Sequence, residues 1–431
     1  MECDVTASKS ETFLGVKRRS AVLLAALIVF FALAATAYTL TLGRVFSAPS
    51  GDGKAYERSA VQLLQKGFYG YKSTKPNAQM SPGYPLFLAA IYRVSGHTAQ
   101  GRPRHLLDAI QILIACSTIL AIFLIGRELF DDWVGLVAAL LVAAYPSTIV
   151  ATNLWLTETL ATAVIVWYIF VTLLAYTRDG IKLWALSGAL LGVAVLIRPA
   201  FLPIAVAPFV IRFFWGKREH VLKFAAVSAL ACVLVLTPWM VRNVIVVHQL
   251  APLSTHGGDP ILAGVDPYYY EGGVQYTFHG PTYEQYMKSH SSLSKDEVAN
   301  AAIIDGLKTR PLQTVWWFTL GKAVRMYTAG WLAENAYAGT VTLVVRELIV
   351  VLGWIGCAYA FKERRLRVLA LMLVIGTVVL FSVSPEPRYV FSWIALLTIP
   401  AAFVLRRLWA APDAAFQNVS EGQPGMQGSA R

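Results

Sequence analysis

A polytopic α-helical membrane protein is the fold class this sequence predicts, and three observations predict it. Of its 431 residues, 56% are hydrophobic and 14% are charged, more apolar surface than a soluble chain of this size can hide. Apolar runs near the length that crosses a bilayer, about 20 residues for a hydrocarbon core about 30 Å thick, recur along nearly the whole chain. The basic residues gather in the short loops between those runs, where the positive-inside bias puts them. Only helices and closed barrels satisfy backbone polar groups in lipid, and these runs are too long for barrel strands. The formal net charge of +12 therefore reads as topology and contact with membrane lipids. No nucleic-acid module is present, so nucleic acid is not an expected partner.

The first run, 20–42, follows Lys17-Arg18-Arg19. It is too long for a signal-peptide core, and Ser47-Ala48-Pro49 is a poor cleavage site, so a retained first span is expected. Further spans are expected at about 105–126, 132–150, 157–177, 182–198, 200–214, 221–241, 342–361, 366–384 and 388–406. The short 200–214 span tilts or shares a kink with its predecessor at Pro199. Alternating about ten spans puts six basic groups on the cytoplasmic side: Lys17-Arg18-Arg19, Arg127, Arg178 with Lys182, Lys217-Arg218 with Lys223, Lys362 through Arg367, and Arg406-Arg407. That agreement requires the short apolar piece Leu86–Ser95 to lie in the interface rather than cross.

Two large loops then face outward, 43–104 and 242–341, inside one membrane unit of 1–410. The second loop carries Trp316-Trp317-Phe318 beside Lys322 and Arg325, a combination that suits a helix lying among headgroups. The Gln/Gly/Ser-rich tail, 411–431, reads as disordered and cytoplasmic. The expected location is the cell inner (plasma) membrane, multi-pass, with the site facing the extracytoplasmic side. Cys3, Cys116, Cys232 and Cys357 lie in the leader and in apolar runs, which suggests neither a disulfide framework nor a metal spacing.

The residues able to do chemistry fall on the outward side. Asp52 opens the first polar loop, and Tyr56 and Ala60 follow it at steps of four, on one helical face. The plain structural role for Asp52 is an N-cap. Glu158 stands at the mouth of an apolar helix, costly unless paired or wet; its plain role is to favour the helix N-terminus. Arg198, Arg242 and Arg388 end or begin spans on the side opposite the basic loops. One such arginine simply snorkels, whereas three together suit a phosphate, which Arg binds bidentately. Leu253-Ser254-Thr255-His256-Gly257-Gly258 offers small residues and backbone N–H groups to an anion. His256 and His279 taken alone read as solvated loop histidines.

Several segments, in order, resemble a known family as a set: Asp52…Tyr56…Ala60…Gly67, Ser81-Pro82-Gly83-Tyr84-Pro85-Leu86, Leu156-Thr157-Glu158, Leu196-Ile197-Arg198-Pro199, Thr237-Pro238-Trp239-Met240-Val241-Arg242-Asn243 with the stretch through Gly257-Gly258, and Glu386-Pro387-Arg388-Tyr389. Over roughly 15–410 the chain resembles the GT-C membrane glycosyltransferases of the protein O-mannosyltransferase and lipid A aminoarabinose transferase type. The resemblance implies a GT-C bundle whose large outward loops carry interfacial helices, and a transferase moving a sugar from a polyprenyl-phosphate donor to an extracytoplasmic lipid, glycan or protein. It implies Asp52 and Glu158 as the catalytic carboxylates. Substrate contacts are then expected from Tyr56, Tyr84, Arg198, Arg242, Asn243, His256, Gly257, Gly258, Glu386, Arg388 and Tyr389. Two departures leave the sugar and acceptor open. Gly53 follows Asp52 where the mannosyltransferases have a second acidic residue, and Gln79-Met80 stand where the aminoarabinose transferases carry Glu-Lys. No ligand cluster calls for a metal, and a divalent ion in place of the arginines is left open. The rival class, a flippase or carrier for a lipid-linked sugar, predicts ionisable residues at span centres, where almost none occur.

Overall fold

The computed structural model describes residues 12–13, 16–42, 51–96, 104–216, 218–248, 253–255, 261, 263–265, 295–328 and 339–420. Each of the ten expected spans is helical: α1 (Arg18–Thr41), α4 (Arg104–Leu129), α5 (Asp132–Ala144), α7 (Glu158–Arg178), α8 (Ile181–Ile197), the 3₁₀ segment Pro199–Val206 running into α9 (Ala207–Trp215), α10 (Val221–Arg242), α14 (Gly339–Ala358), α15 (Arg367–Leu380) and α16 (Phe391–Ser420). Among the described residues six helices are long and apolar enough to cross a membrane by length and composition. Asp132–Ala144, Ile181–Ile197 and Pro199–Trp215 are shorter, and α15 has 14 residues. Prolines explain two of the short pieces: Pro146 opens a separate helix α6 (Pro146–Ala151) after α5, and Pro199 breaks the run after α8. The residue before it, Arg198, is extended at φ −140°, ψ 107°, the conformation a following proline imposes. At the far end, α16 continues to Ser420, past the expected start of the tail at 411.

Helix order sets burial. The segment Pro387–Trp409 is 83% buried and lies at the centre, whereas Arg18–Thr41 is 22% buried and lies at the rim. Small residues bring the central helices together. A Cβ on Gly188 of α8 would lie 2.0 Å from the Ser228 carbonyl oxygen of α10, and one on Gly356 of α14 would lie 2.3 Å from that of Pro400 on α16.

The first large loop holds two helices, α2 (Gly51–Lys66) and α3 (Gly83–Val94), packed on each other. At 12 residues, α3 is too short to cross, since about 20 are needed. The described part of the second loop holds α11 (Lys295–Thr309), α12 (Pro311–Trp316), a π turn Trp317–Gly321 and α13 (Lys322–Thr328). Leu312, Val315, Trp316, Leu320 and Val324 form an exposed apolar stripe along α12 and α13, the face an interfacial helix presents to lipid.

The bundle has two charged ends. At one, Arg406 pairs with Asp131, Arg127 with Asp132 at 3.4 Å, Arg178 with Glu128 at 3.8 Å and Arg212 with Asp179 at 2.5 Å. The other end gathers the start of α2, the start of α7, the end of α8, the end of α10 and the turn before α16.

Candidate active site

Gly51 adopts φ +52°, a conformation glycine takes without strain, and starts α2 so that Asp52 falls in its first turn. The helical step of four buries Tyr56 and Ala60 on one face. The Asp52 carboxylate is not a backbone cap. Oδ1 accepts from Tyr71 Oη at 2.8 Å and Lys72 Nζ at 3.3 Å, and Oδ2 accepts from Arg388 Nη2 at 3.0 Å, across 336 residues of chain. Arg388 also pairs with Glu386. Burial would raise the Asp52 carboxyl; the Arg388 charge, the Tyr71 and Arg388 hydrogen bonds and Lys72 outweigh it and hold the group below the ordinary carboxylate value.

A second pair stands alongside. Glu158 Oε1 accepts from Arg198 Nη2 at 2.5 Å, and Arg198 Nε donates to Thr157 Oγ1 at 2.9 Å. Only 2% of the Glu158 side chain is exposed, and its Oε2 has no hydrogen-bond donor. Tyr389 joins the two pairs: its ring centroid lies 5.8 Å from the Arg198 guanidinium and 5.4 Å from that of Arg388. Tyr56 lies between them as well. Burial, then the charges of Asp52 and Glu158, raise its phenol above the ordinary value against the lowering pull of both arginines. Its ring meets Tyr71 at 5.8 Å and Tyr84 at 5.4 Å. Tyr84 is fully buried, and its hydroxyl also lacks a partner. Gly83 sets this approach, because a Cβ there would lie 2.7 Å from the Leu196 carbonyl oxygen just before Arg198.

The structure thus brings together Asp52, Tyr56, Tyr84, Glu158, Arg198, Glu386, Arg388 and Tyr389. Arg242 is committed elsewhere. Nη1 donates to the Asn77 carbonyl at 2.7 Å and to Asn243 Oδ1 at 2.9 Å, Nη2 donates to the Tyr69 carbonyl at 2.7 Å, and the guanidinium lies 4.9 Å from the Trp239 ring centroid. These contacts clamp the first loop. Buried Asn243 serves that clamp. Thr255 N donates to the Ala78 carbonyl at 2.9 Å, so 253–255 follow the same loop; His256, Gly257 and Gly258 lie outside the described residues.

Sequence reasoning missed Tyr71 and Lys72. They sit between α2 and α3, where no helical period points at Asp52. Lys72 takes the left-handed conformation at φ +49°, uncommon for a residue with a side chain. It also missed Lys322, whose fully buried ammonium donates to the carbonyls of Phe381 at 2.7 Å and Val383 at 2.9 Å. Among the described residues three cations (Lys72, Arg198, Arg388) face three carboxylates (Asp52, Glu158, Glu386), so their charges balance. Among the described residues no group of three or more His, Cys, Asp or Glu side chains comes together to hold a metal.

Residues 78–241 match the family model described as dolichyl-phosphate-mannose-protein mannosyltransferase. Among curated proteins no sequence matches. Among solved structures, the archaeal oligosaccharyltransferase AglB from Archaeoglobus fulgidus, in complex with an inhibitory peptide and a dolichol-phosphate, aligns at 14% identity and TM-score 0.54, covering 94% of this chain and 52% of that one. The apo form of the Archaeoglobus fulgidus oligosaccharyltransferase aligns at 16% identity and TM-score 0.56, covering 94% and 53%. This chain therefore spans about half the length of those enzymes. ArnT from Cupriavidus metallidurans bound to undecaprenyl phosphate aligns at 12% identity and TM-score 0.44 over 94% and 81%, too low for the overlap to carry an argument. The chain thus shares its fold with the membrane part of these oligosaccharyltransferase structures, and its 78–241 segment is similar to the dolichyl-phosphate-mannose-protein mannosyltransferase family.

Proposed function

We propose that this chain transfers a sugar from a polyprenyl-phosphate donor to an extracytoplasmic lipid, glycan or protein acceptor, with inversion at the anomeric carbon and Asp52 as general base. The observation that carries the reading is the contact between Asp52 and Arg388, with Glu158 and Arg198 beside it.

A sugar linked to a lipid phosphate carries a good leaving group, whereas an acceptor hydroxyl is a poor nucleophile at neutral pH. The hydroxyl oxygen attacks the anomeric carbon and gives its proton to the Asp52 carboxylate, a step worth typically about 10²–10⁴-fold. The bond from the anomeric carbon to the phosphate oxygen breaks, and its electron pair leaves on the phosphate. Attack opposite the leaving group inverts the configuration. Arg388 and Arg198 hold the departing anion through charge-assisted hydrogen bonds. The low pKa of Asp52 keeps it ionised but makes it a weak base while Arg388 grips it. An incoming phosphate competes for that guanidinium and so strengthens the base when the donor is in place. The unpartnered oxygen of Glu158 is an acceptor suited to a substrate hydroxyl.

The dolichol-phosphate and inhibitory peptide bound by the archaeal oligosaccharyltransferase support a lipid-phosphate donor and an acceptor in general terms. The basic short loops at the opposite end of the bundle support a site facing away from the cytoplasm, in a cell inner membrane.

The test is the product. Purified protein given a polyprenyl-phosphate-linked sugar should release polyprenyl phosphate and yield a glycoside of opposite anomeric configuration. Retained configuration would exclude the direct displacement. Single cysteines at 52, 158 and 386 should react with an impermeant reagent from outside the cell, and reaction only from the cytoplasm would reverse the orientation.

A further inference from the structure

Lys322 is the one fully buried lysine among the described residues. It opens α13, deep in the second large loop, and no carboxylate pairs with it among the described residues. An ammonium removed from water without a counter-ion is costly, and burial lowers its pKa to about 7. Its compensation is geometric. Helix α15 ends at Leu380, the carbonyls of Val378, Val379 and Leu380 accept from the next turn of backbone, and the ammonium donates to the carbonyls just past the helix end, Phe381 at 2.7 Å and Val383 at 2.9 Å. A cation at the negative end of a helix dipole is favourable, and the Phe318 ring centroid lies 3.9 Å from Nζ.

The neighbourhood is built for this contact. Trp317 Nε1 donates to the Gly264 carbonyl at 3.0 Å. A Cβ on Gly264 would lie 2.5 Å from the Val383 carbonyl oxygen and 2.8 Å from Lys322 Nζ, so only glycine leaves the ammonium and carbonyl where they are. From Val383 the chain turns tightly. Glu386 N donates to the Ser384 carbonyl at 2.9 Å and Tyr389 N to that of Glu386 at 3.0 Å. Helix α13 itself packs on the turn Pro387–Val390 that carries Arg388.

We propose that Lys322 is a positioning residue: by gripping the carbonyls of Phe381 and Val383 it fixes the turn that lays Arg388 on Asp52, and so makes phosphate binding depend on the seating of the second loop. This rests on the reading of Arg388 as a phosphate ligand. Displacement of the described segment 295–328 would take Lys322 with it and free the Arg388 turn.

The test uses the full chain in phosphatidylethanolamine–phosphatidylglycerol nanodiscs with undecaprenyl phosphate as the probe. Lys322→Met should weaken binding about tenfold, and in an Arg388→Gln background it should weaken binding less than about twofold further, because contacting or serially linked residues are non-additive. Gly264→Ala, which keeps the lysine but crowds the same carbonyl, should show the same dependence on Arg388 and serves if Lys322→Met fails to fold. Equal losses in both backgrounds, or unchanged binding in both single variants, would overturn the proposal while leaving the site reading intact. Unchanged binding in Arg388→Gln alone would instead remove Arg388 from the phosphate, and this proposal with it.

Discussion

The two ends of the bundle hold the same kinds of charged side chain and use them differently. At the end with the short basic loops, Arg406 and Asp131 are 47% and 33% exposed and Arg178 and Glu128 are 62% and 28% exposed, whereas Arg127 and Asp132 are 28% and 18% exposed and Arg212, held by Asp179, is 4% exposed. The exposed pairs contribute about 0–1 kcal/mol each. At the other end, Arg198 and Glu158 are 14% and 2% exposed, and Arg388 and Asp52 are 21% and 23% exposed. Breaking a buried pair by removing one partner costs about 3–5 kcal/mol. Helices α7, α8 and α16 run into both ends, so helix packing does not distinguish them. The difference is the first loop, which caps one end with α2, α3 and a cluster of tyrosines and keeps water from the charges there. One end carries the pairs of the short basic loops; the other carries the Asp52 and Glu158 pairs, which the proposed function assigns to a ligand.

Substitutions can break this contrast. Among the arginines the largest effect is expected from Arg388→Gln, which removes a donor to the departing phosphate and should lower turnover about 10²–10³-fold, measured as polyprenyl phosphate released. Arg242→Ala should act on stability instead. It strips two loop carbonyls of a charged donor, and about 1–3 kcal/mol of thermal stability should go, with binding lost only as the loop loosens. A result in which Arg242→Ala cuts turnover without moving the unfolding transition would return that arginine to the substrate.

The pH dependence sharpens the contrast. The Asp52 carboxyl is held low, so its contribution to stability is present above the unfolded value of about 3.9 and is lost as pH falls through the folded one. The acid limb of kcat/KM due to Asp52, which reports the free enzyme, should therefore lie below about 3.9. In Arg388→Gln, burial acts against fewer lowering groups, so the limb of the residual activity should move to higher pH. A limb that stays in place would mean that Arg388 does not govern the Asp52 charge. The smallest effect belongs to the other end: Arg406→Ala should cost less than about 1 kcal/mol and leave turnover unchanged.

Much of this was legible in the sequence. Apolar runs marked ten segments that are helical, six of them long and apolar enough to cross a membrane among the described residues, because hydropathy is a local property. The step of four from Asp52 through Tyr56 to Ala60 set these residues on one face of α2, where Tyr56 and Ala60 are buried. Pro199 marked the break after α8. The partners of Asp52 were harder. Arg388 lies 336 residues away, and Tyr71 and Lys72 sit in a segment whose turn obeys no period. Arg242 shows the limit most clearly. An arginine at the end of a span reads the same whether it awaits a phosphate or holds a backbone, and only the positions of the Asn77 and Tyr69 carbonyls decide. Lys322 was read as an interfacial charge from its aromatic neighbours, since nothing local announces that its ammonium turns inward to cap a distant helix.

The most direct measurement compares the native protein with Asp52→Asn in nanodiscs, following both undecaprenyl phosphate binding and release of polyprenyl phosphate from a polyprenyl-phosphate-linked sugar. The account predicts that turnover falls about 10²–10⁴-fold while undecaprenyl phosphate binds at least as tightly, because the neutral amide no longer competes for Arg388. Native turnover in Asp52→Asn would contradict it.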